Sequence, residues 1–233
     1  MATILGLDRG EGQHFTEIAS AVTALTPRAI YFMAHAHPAP PGGIVYHWEN
    51  GPLAHHANMN AAKEIWDFSL TNLRKYAPPY AVKARHVPCG YHPAMERFQP
   101  AANPTYDVAF MGCMNPRRDR IFTALRQHGL SIIISPHFGA ARDAQIASAK
   151  VLLNLRYYDD GVFPVLRSAH AAANRMPCIS EISPEIPDWA TYRCGYNELV
   201  ARTVALVRAL PAERTRVALE TYEAFRRSPL RLP

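Results

Sequence analysis

The sequence predicts an α/β protein made of two domains with parallel sheets. Short apolar runs alternate with helix-like segments through both halves of the chain, which is the pattern of strands joined by helical crossovers. A length of 233 residues allows one large domain or two small ones. Residues 93–105 hold three prolines and little periodicity, so they are expected to be a linker. The expected domains are 1–92 and 106–210, followed by a closing helix in 211–233.

In the first half, the apolar residues Phe15, Ile18 and Val22 have helical spacing, and Pro27 ends that helix. Ile44 to His47 reads as a buried strand, left by a turn at Glu49. The complete expectation is strands at 3–7, 29–33, 44–47, 64–68 and 81–88, with helices at 14–25, 53–62 and 70–76.

In the second half, the run 151–155 has the length and β-branched start of a strand covered on both faces. The segment 162–174 is rich in Ala and Leu, with Pro164 in its first turn, and reads as a helix. The other expected strands are 106–112, 131–134 and 177–181, and the other helices start at about 115, 143, 196 and 212. Residues 182–194 are expected to be irregular because Pro184 and Pro187 interrupt them.

Composition narrows the function classes. The sequence has no run of eighteen apolar residues, so no membrane span is expected. The first residues lack the pattern of a secretory signal. Four widely spaced cysteines predict reduced thiols and a cytoplasmic location. A formal net charge of +6, carried mostly by arginine, favours an anionic partner such as a phosphate or nucleic acid, although no basic run is dense enough to choose.

Several polar residues are expected to share one rim of the second domain. Ligands of open α/β sheets bind beyond the carboxyl ends of the strands. By this rule the rim holds Asn154, Tyr157, Tyr158, Arg167, Ser180 and Glu181. They could bind a nucleoside by stacking and polar contacts. The alternatives are a packed loop for the tyrosines and a structural ion pair between Arg167 and Glu181.

A phosphate-binding turn is expected after the strand 106–112. Gly112 and Asn115 precede a helix that opens with Arg117 and Arg118, and a helix N-terminus attracts phosphate. Lys150, one of four lysines, is a further candidate. The alternatives are a solvated helix start and a surface lysine.

These residues resemble the glycosyltransferases of the GT-B architecture, and more closely a group of short bacterial and viral glycosyltransferase-like proteins with a C-terminal domain like that of glycosyltransferase families 1 and 4. The resemblance covers roughly residues 44–182, in the family's order. The matching positions are Trp66, Asp67, Phe68, Ser69 and Asn72; Val87, Pro88, Gly90 and Tyr91; Phe110, Gly112, Asn115, Arg117 and Arg118; and Lys150, Leu153, Asn154, Tyr157, Tyr158, Arg167, Asn174, Ile179, Ser180 and Glu181.

The resemblance implies two Rossmann-like domains facing across a cleft, with an abbreviated N-terminal domain on the acceptor side. It implies a nucleotide-sugar donor held by the C-terminal domain, a hexosyltransferase reaction without a metal or other cofactor, and a closing helix that crosses back to the first domain. One position departs from the family. Many such enzymes carry a ribose-binding acid in the helix that here begins at Phe163 and reaches Arg167. Glu181 or a loop Asp replaces that acid, ribose binds differently, or donor binding is lost.

The catalytic base is expected in the first domain, where Glu49, Asp67 and His35 are the leading candidates; Asp8, His14 and His37 also qualify by position. The alternatives are a turn or capping residue for Glu49 and a helix cap for Asp67. The histidine pairs lack a further ligand at metal spacing, so no metal site is expected. Two functions remain open: sugar transfer to an unknown acceptor, and a GT-B-like module that binds a nucleotide or sugar without turnover.

Overall fold

The computed structural model describes residues 4–5, 15–32, 37–49 and 56–233. The chain forms two compact units, residues 1–89 with 230–233, and residues 90–229. Each unit contains a five-stranded sheet. All paired strands run parallel. The predicted class, two Rossmann-like α/β units, is therefore confirmed.

The first sheet follows chain order, β1-β2-β3-β4-β5. Its strands are β1 (Ile4–Leu5), β2 (Ile30–Tyr31), β3 (Ile44–His47), β4 (Glu64–Asp67) and β5 (Ala84–His86), and its helices are α1 (Thr16–Leu25), α2 (Leu70–Leu73) and α3 (Pro78–Ala81), with a 3₁₀ turn at His56–Met59. Strand β5 begins later than predicted because Pro78 opens a helical turn where the strand was expected. Parts of the predicted strand 29–33 and helix 53–62 lie outside the described residues.

Aromatic side chains fill the core of the first unit. Tyr46 lies at its centre, with ring centroids 5.9 Å from Phe32, 5.7 Å from Trp66 and 4.4 Å from Trp48. Trp48 in turn stacks on Phe68 at 5.4 Å. Such pairs contribute beyond the area they bury, so this row fixes β3 against β4.

The second sheet has the order β10-β9-β8-β6-β7. Its strands are β6 (Tyr106–Met111), β7 (Ile132–Ser135), β8 (Ala149–Asn154), β9 (Cys178–Glu181) and β10 (Arg193–Cys194), and its helices are α4 (Pro116–Gln127), α5 (Gly139–Ala147), α6 (Val165–Ala173), α7 (Leu199–Arg208) and α8 (Pro211–Arg226). The chain goes from β6 to β7 on one side and then to β8 on the other. The carboxyl ends of β6 and β8 therefore form a topological switch point, the usual ligand position in such sheets.

The proline-rich segment expected to be a linker belongs to the second unit. The side-chain oxygen of Asn174 accepts hydrogen bonds from the backbone amides of Arg97 and Phe98, the latter at 2.8 Å. The Asn174 amide group donates to the Met95 carbonyl at 3.2 Å. Isolated backbone bonds, such as that from the Ala101 amide to the Ala147 carbonyl at 2.8 Å, add to these side-chain contacts and hold the aperiodic segment in place.

Helix α8 also belongs to the second unit, where it packs on α6, whereas residues 230–233 group with the first unit. The two-residue strand β10 was not predicted, because it follows a stretch broken by Pro184 and Pro187. Among the residues that the structure describes, no helix combines the length and apolar character that crossing a membrane requires.

Candidate functional site

Polar groups of the second unit gather where β6, β8 and β9 end. The backbone turns at Gly112 directly after β6, while Arg156 follows β8 and Glu181 closes β9. Helices α4 and α6 add arginines from above this edge. The rim expected from the sequence is thus formed by neighbouring elements of one sheet.

Gly112 is required by both conformation and space. Its φ of +130° lies in a region that L-residues rarely adopt. A Cβ on Gly112 would lie 2.7 Å from Nη2 of Arg167 and 3.5 Å from Nη1 of Arg118. The chain therefore passes close against two guanidinium groups at this point.

Asn115 connects the turn to the loop after β8. As the N-cap of α4, its side-chain oxygen accepts from the Arg118 amide at 2.9 Å. Its side-chain nitrogen donates to the carbonyl of Tyr157 at 2.7 Å. Asn115 thus fixes the start of α4 and the tyrosine loop relative to each other.

Glu181 is fully buried and is held by two arginines. Arg117 binds both of its oxygens, with Nη1 at 2.9 Å from Oε2. Arg156 donates from its backbone amide to Oε2 at 3.1 Å and from Nη2 to Oε1 at 2.9 Å. Arg117 also pairs with Asp159. The alternative of an ion pair between Arg167 and Glu181 is therefore wrong, because Arg117 and Arg156 occupy this carboxylate.

Arg118 and Arg167 are held by neutral groups instead. Nη2 of Arg118 donates to the Leu155 carbonyl at 2.6 Å, and its Nε donates to the Arg156 carbonyl at 3.0 Å. Nε of Arg167 donates to the Met111 carbonyl at 2.6 Å, and its Nη1 donates to the Leu155 carbonyl at 3.1 Å. Neither guanidinium forms an ion pair with a carboxylate in the part of the chain that the structure describes.

The electrostatic consequence is a local excess of positive charge. Burial, and then repulsion from Arg118, lowers the pKa of Arg167 to about 9. Burial lowers the pKa of Arg118 to about 10. The guanidinium carbons lie 4.7 Å (Arg167) and 5.0 Å (Arg118) from the ring centroid of Phe110, whose face offsets part of the repulsion. Both groups stay protonated near neutral pH, so the edge suits an anion.

Asn154 and Ser180 lie beneath this pair and are both buried. The Asn154 oxygen accepts from Nη1 of Arg167 at 2.8 Å, and its nitrogen lies 3.4 Å from the Ser180 hydroxyl oxygen. These two predicted donor-binding residues therefore position Arg167 from below.

The loop after β8 places aromatic surface beside the cations. Tyr157 and Tyr158 are 39% and 45% exposed, and their rings meet edge to face at 4.8 Å. The Arg118 guanidinium carbon lies 5.2 Å from the Tyr157 ring centroid. The tyrosines are thus available to a flat ligand next to the positive charge.

Lys150 lies away from this edge. It is the second residue of β8, at the strand's amino-terminal end, and its ammonium pairs with Asp107 at 2.7 Å. The expectation that Lys150 lies beside Gly112 is wrong, because three strand residues separate it from Asn154 at the carboxyl end of β8.

In the first unit, Asp67 is fully buried. Its oxygens accept from the Ser69 amide and the Tyr76 hydroxyl, each at 2.8 Å. This network favours the structural alternative for Asp67. Glu49 is half-buried after β3, and its backbone carbonyl accepts from Asn72 at 3.0 Å. His35, Asp8 and His14 lie outside the described residues.

Arg156 was missed in the sequence, and Asp159 was considered only as one of two loop acids. Their signal was a charged residue on each side of the tyrosine pair. Across the described ranges, no three His, Cys, Asp or Glu side chains are grouped as metal ligands would be.

No family model matches the sequence. An uncharacterized protein of Acanthamoeba polyphaga mimivirus is 36% identical over 112 residues, covering 44% of this chain and 13% of that protein. A second uncharacterized protein of the virus is 30% identical over 153 residues, covering 60% of this chain and 49% of its own length. The chain thus spans half or less of these curated relatives.

Among solved structures, the chain is similar to the DNA modifying enzyme β-glucosyltransferase, which was determined with and without its substrate uridine diphosphoglucose. The TM-score is 0.51 at 11% identity, covering 97% of this chain and 92% of the other. At this identity the likeness concerns the fold, and it agrees with two Rossmann-like units of the GT-B-like class.

Proposed function

We propose that the protein is a glycosyltransferase that moves a sugar from a nucleotide-sugar to an acceptor, with the donor's nucleotide on the second unit. The observation that carries this proposal is the pair Arg118 and Arg167, two guanidinium groups without carboxylate partners in the described chain, at the switch point of a parallel sheet. A diphosphate supplies the negative charge that this edge lacks.

The arrangement suits a diphosphate in detail. Arg167 is partly exposed, and its Nη2 faces the turn at Gly112. Arg118 is buried and adds its charge from behind. Helix α4 begins at this turn, and the positive end of its dipole favours an anion. When the sugar leaves, these fixed charges stabilise the departing nucleoside diphosphate, so the proposed reaction needs no metal.

The tyrosine loop gives the nucleoside a surface. Tyr157 is exposed beside Arg118. A base stacked on the Tyr157 ring would therefore lie next to phosphates bound at Arg118. The helix start that carries a ribose-binding acid in the resembled family has no acid here, and Glu181 is occupied by Arg117 and Arg156. We assign ribose binding to Asp160, which is exposed in the same loop.

Glu49 is the proposed base that accepts the acceptor's proton. It is half-buried and lies two residues after the carboxyl end of β3, at the edge where ligands of parallel sheets bind. Asp67 is a weaker choice, because its oxygens already hold the Ser69 amide and the Tyr76 hydroxyl.

The occupied Glu181 also favours a second function, a nucleotide-binding module without turnover. A donor panel separates the two. The purified protein is mixed with the glucose, galactose and N-acetylglucosamine esters of uridine diphosphate and with guanosine diphosphate mannose, in excess EDTA. Thermal shift reports binding, and release of nucleoside diphosphate reports turnover.

Sugar transfer predicts that at least one donor raises the melting temperature and is hydrolysed slowly with EDTA present. A thermal shift without any hydrolysis supports the binding module. The absence of both responses would contradict nucleotide-sugar binding altogether.

A further inference from the structure

A cavity of about 340 Å³ opens at the opposite end of the second sheet, where strands begin. Its wall includes Lys150 at the start of β8, Pro177 just before β9, and the segment 99–104 before β6. The first turns of α8 close it, from Pro211 onward. The cavity is thus separated from the proposed donor site by the length of the strands.

Three basic side chains line this cavity and no acidic residue does. Lys150 and Arg175 each pair with a carboxylate: Lys150 with Asp107 at 2.7 Å, and Arg175 with Glu96 at 3.3 Å. Neither Asp107 nor Glu96 lines the cavity.

Arg214 has no carboxylate partner among the described residues. Its Nη1 donates to the carbonyls of Val207, at 3.1 Å, and of Ala209, at the end of α7. Its positive charge is therefore offset by the partial negative charges of these carbonyls and not by a full opposite charge. Because Arg214 lies in the first turn of α8, the positive end of that helix's dipole adds to it.

The remaining wall is mostly apolar, with Gln99 and Thr215 as its uncharged polar residues. Pro177, Pro211 and Ala218 line it, and Leu219 is 42% exposed at this position. A cavity with an apolar wall and a few convergent polar groups is the usual form of a small-molecule site. The charged groups of the cavity are all cations, so they favour an anion, and the arginine fork suits a phosphate.

We propose that this cavity is a second ligand site, which binds a small organic phosphate ester through Lys150, Arg175 and Arg214. The apolar part of the ligand covers Leu219. The site is independent of the donor site and of the proposed sugar transfer.

Methyl NMR of the full chain, labelled at Ala and Leu, tests the proposal with phenyl phosphate as the probe. We expect saturable shifts at Ala218 and Leu219. Benzyl alcohol, a neutral probe of similar shape, should give no saturable shift there. Equal binding of both probes would overturn the assignment of a phosphate site.

Variants test the residues. Arg214→Met and Lys150→Met should each weaken phenyl phosphate binding by about tenfold or more, the effect of losing one charge-assisted contact. Arg202→Met removes the same charge from an exposed position on α7 and should leave the affinity unchanged. The spectra themselves show whether each variant is folded.

The proposal is overturned if the shifts gather at Leu155 and other residues of the strands' carboxyl ends, if no saturable shift occurs, or if both cavity variants bind like the unmodified protein. Loss of donor binding in an Arg167 variant should leave the shifts at Leu219 unchanged, so the two sites are tested separately.

Discussion

Arg118 and Arg167 donate to the same carbonyl oxygen, that of Leu155, from two different helices at 2.6 and 3.1 Å. Two like charges are thus fixed against one strand end, and their mutual repulsion costs free energy. Such an arrangement is expected where a ligand completes the charge balance, because fixed charges held before binding need little reorganisation.

The buried carboxylate of Glu181 should be a large contributor to stability. Glu181→Gln leaves the cations Arg117 and Arg156 without their shared partner, so we expect a loss of about 3–5 kcal/mol in the free energy of unfolding. Urea unfolding measures this loss. Glu220→Gln, which removes an exposed partner of Arg216, is the control and should change stability by less than about 1 kcal/mol. Similar values for the two variants would show that the buried pair adds nothing.

Gly112→Ala should impair ligand binding through Arg167. The added Cβ would meet Nη2 at 2.7 Å, in a backbone conformation that alanine adopts only with strain. We expect about 1–3 kcal/mol of destabilisation and a loss of nucleotide affinity in titration calorimetry. Gly129→Ala also has a positive φ but meets open space, so it should destabilise without affecting the affinity. Unchanged nucleotide affinity in Gly112→Ala would show that this turn takes no part in ligand binding.

Nucleotide affinity should fall as pH rises from 8 to 10. In this window Arg167, with a pKa of about 9, and then Arg118, with a pKa of about 10, begin to lose their protons, and the anion site loses charge. Adenosine diphosphate is the probe for calorimetry, since adenine carries no proton that is lost there. An affinity independent of pH across this window would contradict the role of these groups.

The same two shifts have an opposite effect on folding. Both folded-state pKa values lie below the ordinary arginine value, so the unfolded chain binds more protons above pH 9. The contribution of these two groups to stability therefore rises with pH from about 9 upward, while ligand affinity falls.

Substitutions at Glu49 and at Asp67 should have different effects, the first on catalysis and the second on stability. Glu49→Gln keeps the shape and removes the charge, so turnover should fall about 10²–10⁴-fold with little change in donor affinity. Asp67→Asn should lower stability by about 1–3 kcal/mol, because the Ser69 amide and the Tyr76 hydroxyl lose a charged acceptor. Turnover per folded molecule should survive in Asp67→Asn. If Asp67→Asn lost turnover and Glu49→Gln lost only stability, Asp67 would be the catalytic residue and Glu49 the structural one.

The edge on which the site lies was predictable from the sequence. Asn154, Ser180 and Glu181 end apolar runs, and parallel strands that end together place their last residues side by side. The same rule explains the error at Lys150, which begins its strand. Short runs of this kind also predicted the ends of β3 and β4 to within one residue.

The pairing of charges was not predictable in this way. Whether Glu181 binds Arg117 or Arg167 depends on the order β9-β8-β6 and on where α4 and α6 pass over it. The spacing of residues along the chain reveals neither the strand order nor the positions of these two helices. Arg156 was missed for the same reason, since its role depends on β9 being the neighbour of β8.

The Arg118 and Arg167 pair is proposed to bind the diphosphate of a nucleotide-sugar. Titration calorimetry of uridine diphosphate glucose, or of the donor that the panel selects, tests it in Arg167→Met and in Arg126→Met, which removes the same charge from an exposed position on α4. We predict that Arg167→Met loses about 1–3 kcal/mol of binding free energy and that Arg126→Met binds like the unmodified protein. Equal affinities in a folded Arg167→Met and in Arg126→Met would contradict the account.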